Sequence, residues 1–528
     1  MTSSPSILAG LDVHGIQNYV FRGSRLKEIV GGSHLVDKFT AEIPERVAQD
    51  LGLREATHGE VDSPGTWLPL RTAGGRIRAS FHDREAAHAW MQGVTLAICK
   101  HAPNLPFTGS LVEIGAQGLP EAHTELHSRL EAKRRSAGSE SYFRGFPFTA
   151  PCRTTGDAAS AYGRRNNERL SEEMVAKQNA ATDAGESLLI DIRTAVEHHT
   201  VLGDAMHDLG LESPLRWPLD IEDMLADRRG HLGAYMGVVR FDGNSIGERI
   251  REVLSRSSTA ADHSSGFKKF CRCMAECTRH AIVDSVVEML FHLHREGSLP
   301  RCRRKLPVRV LLEGGDDVTA LVRPDLAIPF SRALLENFEK RTAESPAVGA
   351  LKAAVGIAIV KSKAPVLAGV DLAGSLLEEA KEAGRDSSRA SFYLASGGIP
   401  IDLVRDRSLH FESKDRLALT AWPRTIAEID ELLSRATFIC SDLPRSHVRG
   451  AADECRSGID AAGLAFDKMR DSVDRDLERR GDSAALVETL DRAWPDGWFQ
   501  SKDGRQATDL LDCLDLGRFI PERTGARA

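Results

Sequence analysis

Leu311-Leu312-Glu313-Gly314-Gly315-Asp316-Asp317-Val318-Thr319-Ala320 is the stretch on which the fold of this chain turns. Ahead of it Val308, Val310 and Leu312 alternate with Arg309 and Leu311, and behind it Val318 to Val322 is β-branched and apolar. That pattern predicts a hairpin with Gly314-Gly315 as its turn. Glycines there tolerate positive φ and let backbone approach a bulky ligand, while Asp316 and Asp317 present oxygen ligands at the tip. Hard carboxylate oxygens with no Cys or His beside them suit Mg²⁺ or Mn²⁺, ions that are usually shared with substrate phosphates. Taken alone, the stretch would also fit a plain Gly-Asp turn.

Its surroundings favour the chemical reading. Upstream, Tyr235 to Phe241 reads as a strand ending in Asp242-Gly243-Asn244-Ser245-Ile246-Gly247, followed by a helical pattern from Glu248 to Leu254. A carboxylate at a strand end, then a Gly-rich turn into a helix, supplies both a metal ligand and free N–H groups for phosphate. Phe267 to His294 is an amphipathic helical pattern. Further helices are predicted from Asp325 to about Lys340 and from Val366 to about Lys381, with strands from Ala353 to Val360 and near Ser391 to Tyr393. Strand, helix, hairpin, helix, strand is the order of a ferredoxin-like unit, here with an extra helix and strand. In that topology Asp242 faces Asp316 and Asp317 across the sheet surface.

Asp242-Gly243-Asn244 with Gly314-Gly315-Asp316-Asp317 on this scaffold resembles the polymerase palm of the CRISPR polymerases. These are the large subunits of type III CRISPR effector complexes, related to the GGDEF cyclases. The resemblance implies a palm that joins ATP molecules into cyclic oligoadenylate second messengers, in antiviral defence. It extends from the first strand to about Gly398. On it, Asp242, Asp316 and Asp317 are expected to be the catalytic and metal-binding residues for Mg²⁺ or Mn²⁺. Gly243, Asn244, Ser245, Gly247, Gly314 and Gly315 are expected around the nucleotide, with Lys381 or Arg385 adding positive charge; a helix-capping role for Lys381 is equally open.

The start of the chain reads as a faint repeat of the same unit. Ile7 to Leu11 is a predicted strand leading to Asp12, with Gln17 and a Gly31-Gly32-Ser33 turn after it. A second hairpin is predicted through Trp67 to Phe81 around Gly74-Gly75. Asp12 to Ser33 resembles the first palm of the CRISPR polymerases. Where the second unit has Asp316 and Asp317, this one has Arg76 and Ile77, so it is expected to be degenerate, with Asp12 in a salt bridge. Gln17 and Ser33 are expected to touch a second nucleotide.

The fold class is therefore α+β: two ferredoxin-like palms, the first degenerate and the second carrying Gly-Gly-Asp-Asp, with helical inter-palm and C-terminal regions. Expected domains are 1–118, 119–230, 231–400 and 401–528. At 528 residues several domains are expected, given about 100–200 residues each. A net charge of −7 argues against a generally basic nucleic-acid coat. No apolar run reaches the length of a membrane span and no signal peptide is visible, so a cytoplasmic location and no membrane partner are expected. Nine cysteines, an odd number, fit reduced thiols. Cys152 stands in a zinc-knuckle-like segment whose second cysteine position is Thr155, so no zinc is expected. Cys271, Cys273 and Cys277 fall on a helical pattern and read as packing residues. With the palm beginning within the first ten residues, the HD nuclease that the family often carries ahead of it is not expected. His82-Asp83 reads as a strand-to-helix junction with Asp83 as the helix cap. Thr425–Arg435, Val448–Arg479, Ser483–Trp494 and Leu510–Leu516 carry helical spacing. Besides nucleotide, the resemblance implies other CRISPR-type subunits, guide RNA or a homo-oligomer as partners. Two alternatives remain open: a noncatalytic nucleotide-binding scaffold subunit, and a GGDEF-like cyclase using GTP.

Overall fold

The structure is a computed structural model. It describes the chain apart from residues 1–5, 24, 57–60, 62, 74, 116–117, 137–147, 164–166, 183, 209–214, 226–233, 256–259, 300–304, 414–416, 444, 479–482, 495–499, 503–504 and 520–528.

The first sheet is built from β1 (Ile7–Val13), the short edge strand β2 (Arg54–Glu55), β3 (Thr66–Ala73), β4 (Arg76–Phe81) and β5 (Phe107–Glu113), in the order β2-β3-β4-β1-β5. Helices α1 (Ile16–Phe21), α2 (Leu26–Asp37) and α3 (Ile43–Asp50) follow β1, α4 (Arg84–His101) joins β4 to β5, and α5 (Leu119–Ser136) follows β5. The β3-β4-β1-β5 order is that of a ferredoxin-like unit. Gly31, Gly32 and Ser33, expected as a turn, lie inside α2. The physical reason is packing: a Cβ at Gly31 would stand 1.8 Å from the carbonyl oxygen of Lys177. The glycines thus let α2 approach α6 (Glu172–Ala180), rather than turning the chain. Helix α6 begins at Glu172, directly after the two-residue strand Arg169–Leu170 and Ser171.

The second sheet repeats the order. Its ferredoxin strands are β8 (Tyr235–Gly243), β9 (Val308–Gly314), β10 (Asp317–Val322) and β11 (Ala353–Lys361), after two minor inter-palm strands, β6 (Ala161–Tyr162) and β7 (Arg169–Leu170). With β12 (Arg389–Leu394) and β13 (Arg424–Thr425) added, the order is β13-β12-β11-β8-β10-β9. The helices of this unit are α10 (Ile246–Ser255) and α11 (Ala260–Arg295) before the hairpin, α12 (Ala327–Glu344) after it, and α13 (Val366–Glu382) between β11 and β12; three inter-palm helices precede them, α7 (Glu186–His198), α8 (Thr200–Asp208) and α9 (Ile221–Met224).

Alternation along β8 divides the sheet between two cores. Val239 and Phe241 pack with Val286 and Leu290 of α11 and Leu334 and Phe338 of α12. Met236 and Val238 face the other way, toward Val370 and Leu376 of α13. That second cluster continues without a break into Leu11, Val20 and Ile29 of the first palm. The palms therefore share one hydrophobic core.

Beyond β13, helices α14 (Leu403–His410), α15 (Ile426–Asp442), α16 (Arg445–Cys455), α17 (Ile459–Glu478), α18 (Ser483–Ala493) and α19 (Leu510–Gly517) form the C-terminal region. The single helix expected from Val448 to Arg479 is two, α16 and α17, divided at Gly458 with φ 132°; Arg479 itself lies outside the described residues. Thr425 caps α15 in a capping box with Glu428. No helix among the described residues is long and apolar enough to cross a membrane.

The position of α13 over the second sheet depends on Gly356 of β11. A Cβ there would stand 1.9 Å from the carbonyl oxygen of Ala373 and 2.5 Å from the Leu377 nitrogen. Gly356→Ala is expected to push α13 off the sheet and destabilise the palm by about 1–3 kcal/mol. Thermal unfolding followed by circular dichroism tests this, and an unchanged melting temperature would show that the helix is not seated on that glycine.

Candidate functional site

The site is built on a register. Asp242, next to last in β8, pairs directly with Asp317, first in β10. Residues directly opposite on antiparallel strands have Cβ atoms about 4.5–5.5 Å apart, so the two carboxylates emerge side by side on one face. Gly314 ends β9 and pairs with Asp317, so the turn is Gly315-Asp316, one residue later than Gly314-Gly315. Gly315 takes φ 78°, where glycine carries no Cβ penalty. The Asp316 carbonyl accepts from the Gly243 nitrogen at 3.2 Å, tying the hairpin tip to the end of β8.

After Gly243 the chain turns through Ser245, a non-glycine residue at φ 57°. The Ser245 carbonyl accepts from the Glu248 and Arg249 nitrogens, both at 3.0 Å, and opens α10. The N–H groups of Ile246 and Gly247, ahead of these two, have no intrahelical acceptor. Asn244 is buried; its Nδ2 donates to the Arg385 carbonyl at 3.3 Å, and its Oδ1 has no hydrogen-bond partner. Arg385 itself is exposed just past α13.

Lys381, in the last turn of α13, turns its side chain to the acid pair. Its Nζ lies 2.6 Å from Asp242 Oδ2 and 3.3 Å from Glu378. Burial opposes its charge, but the Asp242 and Glu378 carboxylates outweigh that and raise its pKa. Arg240, two residues before Asp242 on the same face, comes within 4.0 Å of Asp317 Oδ2. Asp317 sits in a pit: solvent reaches 39% of its side chain, yet Oδ1 is buried without a hydrogen-bond partner. Burial pushes its carboxyl up to about 6; Arg240 pulls the other way, and Asp242 and Asp316 add to the rise.

Gln17 lies on α1 against Arg240, and Ser33 is buried within α2. In the first palm, Asp12 pairs with Arg76 in the same register in which Asp242 pairs with Asp317. Arg76 thus stands at the place of Asp317, and Gly75 at that of Asp316, one residue off the expected alignment; Gly74 lies outside the described residues. The salt bridge of Asp12 is to Arg78, at 2.6 and 3.2 Å, rather than to Arg76. By alternation these residues share the face of Leu8, which packs with Leu126 of α5, and not the face turned to the shared core. Asp83 caps α4, accepting from the Ala86 nitrogen at 2.7 Å. Cys152 is buried against Leu170 and Met174. Cys277 is buried in the core around α11, with Cys271 and Cys273 packed against it.

Among the described residues no three His, Cys, Asp or Glu side chains converge to hold a metal. The donors that are present nevertheless suit a hard cation that takes part of its shell from phosphate and water. Asp242 and Asp317 supply carboxylates, and the orphaned Asp317 Oδ1 and Asn244 Oδ1 are acceptors that want a cation or a donor.

Residues 235–389 match the family model for the second palm domain of Cas10/Cmr2. This segment, from β8 into β12, is a second palm of the Cas10/Cmr2 type. No curated protein matches the chain in sequence. A solved Csm1–Csm4 cassette in complex with cA3 is similar in fold, with a TM-score of 0.50 and 12% identity over 93% of this chain and 69% of that one. Another such cassette, with cA4, gives 0.45 and 12% over 82% of this chain and 58% of that one. A type III-B Cmr-beta structure in its apo state gives 0.44 and 10% over 89% and 77%.

Arg240 is the neighbour of the acid pair that sequence reading missed. The signal was present: a charged residue in an apolar strand, two positions from Asp242 and hence on its face. Because a cation needs the ionised Asp317, Mn²⁺ binding to the nucleotide-free Cas10-family palm is expected to strengthen as pH rises through about 6 and to level off above. Stability runs the other way, since the metal-free fold holds that proton more tightly than the unfolded chain and loses stability from 3.8 to about 6. Mn²⁺ titrations at stepped pH test the first statement; binding with no pH step, or an equal step in Asp317→Asn, would refute it.

Proposed function

We propose that the second palm is a nucleotidyltransferase that joins ATP into cyclic oligoadenylate-type messengers with Mg²⁺ or Mn²⁺, in antiviral defence. The observation that carries this reading is the direct cross-strand pairing of Asp242 with Asp317 in a palm of this family, with Lys381 alongside. Asp242, Asp317 and Asp316 hold the divalent ions, which supply Lewis acidity to an attacking 3′-hydroxyl and charge to the pyrophosphate. Gly243, Asn244, Ser245 and Gly247 present backbone and amide groups to the triphosphate at the start of α10. Gly314 and Gly315 let the nucleotide approach the hairpin backbone. Lys381 is poised to exchange Asp242 for phosphate, and Arg385 adds charge at the mouth. The domain limits that accompany this reading are 1–118 for the first palm, 119–230 between the palms, 231–400 for the second palm and 401–528 for the C-terminal region.

The first palm contributes structure in place of chemistry, with Ser33 buried in its core and Gln17 turned to the second palm. Subunits of an RNA-guided complex are the proposed partners, by analogy with Csm1, which is paired with Csm4 in the solved cassettes. The chain spans 58% of the length of the chain in the cA4 complex, so the activity of a whole effector subunit is part of this proposal.

The purified protein, incubated with each nucleoside triphosphate and Mg²⁺, is expected to yield cyclic oligoadenylates by mass spectrometry. Asp316→Ala with Asp317→Ala should lower product formation by about a hundredfold or more. Binding of ATP without product would favour the scaffold role, and product from GTP alone the GGDEF-like one. In that double variant, Arg76→Asp is expected to restore nothing, because Arg78 already neutralises Asp12; recovered turnover would refute the division of labour between the palms.

A further inference from the structure

Arg240 is held from the first palm. With its amide oxygen turned toward the guanidinium, Gln17 accepts from Arg240 Nη1 at 3.1 Å and Nη2 at 2.7 Å. A guanidinium has only donors, so this orientation gives Nη1 and Nη2 an acceptor, while Arg240 Nε stays buried without a hydrogen-bond partner. Overhead, α13 passes at Gly374, where a Cβ would come within 2.7 Å of Arg240 Nη1. The guanidinium is thus nearly enclosed, with 15% of the side chain exposed.

Held in this way, Arg240 Nη2 stops 4.0 Å short of Asp317 Oδ2. A charge-assisted hydrogen bond closes to about 2.7–2.9 Å. Lys381 does close on its own carboxylate, at 2.6 Å from Asp242. The difference lies in the partners of each cation: Lys381 closes on the Asp242 and Glu378 carboxylates, whereas Arg240 is engaged by two hydrogen bonds to Gln17 on α1. Asp317 Oδ1 is left buried and unpartnered.

We propose that Gln17 is a positioning residue for the acid pair of the second palm. By engaging Arg240 across the interface between the palms, it keeps the guanidinium from closing onto Asp317 and so leaves that carboxylate open to a divalent cation. The inference rests on reading the second palm as a metal-dependent site. Without the Gln17 acceptor, Asp317 is the strongest partner within reach of Arg240, and a closed pair would occupy the oxygens a cation needs. The first palm, which pairs off its own acid, thereby sets the cation affinity of its neighbour.

The test is Mn²⁺ binding to the nucleotide-free full chain above pH 7, followed by electron paramagnetic resonance, with circular dichroism to confirm folding. Gln17→Met, similar in volume but lacking a strong acceptor, is expected to weaken binding roughly three- to tenfold, less than the full worth of a hydrogen bond to a charged group because the effect reaches the cation only through Asp317. Gln17→Asn, one methylene too short to reach, should move in the same direction, and Gln17→Glu should bind at least as well as the natural chain. Adding Arg240→Met to Gln17→Met should restore the affinity, a rescue that a merely structural role would not produce. Unchanged affinity in both weakened variants, or a loss that Arg240→Met does not relieve, overturns the positioning role. A natural chain that binds no Mn²⁺ overturns the metal-dependent reading itself and this inference with it.

Discussion

Two carboxylates on neighbouring strands, Asp242 and Asp317, set the terms for what surrounds them. Like charges directly opposite in a sheet repel, and here they do so in a pit that disfavours charge. The fold answers with two cations from two directions. Lys381 arrives at the end of α13, a helix seated on the sheet by Gly356, and Arg240 comes along β8 itself. The Lys381 contact does not survive a shift of α13, so the packing of an added helix, outside the ferredoxin unit, bears directly on the electrostatics of the acid pair.

The two palms show how few residues separate an acid pair from a salt bridge on one fold. Strand order and register are the same, down to Asp12 opposite Arg76 and Asp242 opposite Asp317. One acid replaced by arginine, and a second arginine at Arg78 clasping the remaining Asp12, turn an acid pair into a neutral salt bridge. The helices over that face differ as well: α5 covers the Asp12 side, whereas α13 covers the Asp242 side and brings its lysine.

Much of this was legible in the chain because it is local. Alternation gave β8 through β12 to within a few residues, and the strand-turn-helix at Asp242 followed from a carboxylate ahead of a Gly-rich turn. Asp83 as a helix cap was legible for the same reason. What escaped were effects of partners distant in sequence. Gly31 and Gly32 look like a turn until the Lys177 backbone is seen against them. The one-residue offset at Gly75-Arg76 depends on pairing with β1, which no local pattern reports. Arg240 carried a signal, but its partner Gln17 lies on another palm, and only the folded chain brings them together.

The shared core also has a consequence for how the chain is made. Leu11 and Val20 bury against a cluster that includes Val238 and Val370, more than two hundred residues later in the sequence. At ribosomal speeds of about 5–20 residues per second, the first palm emerges roughly 10–50 s before its covering surface exists. For that interval its apolar helical side is a sticky intermediate in the cell, open to chaperones and to aggregation. The nascent chain is therefore most vulnerable at its first palm, and its yield in vivo depends on how quickly α13 is synthesised and closes over it.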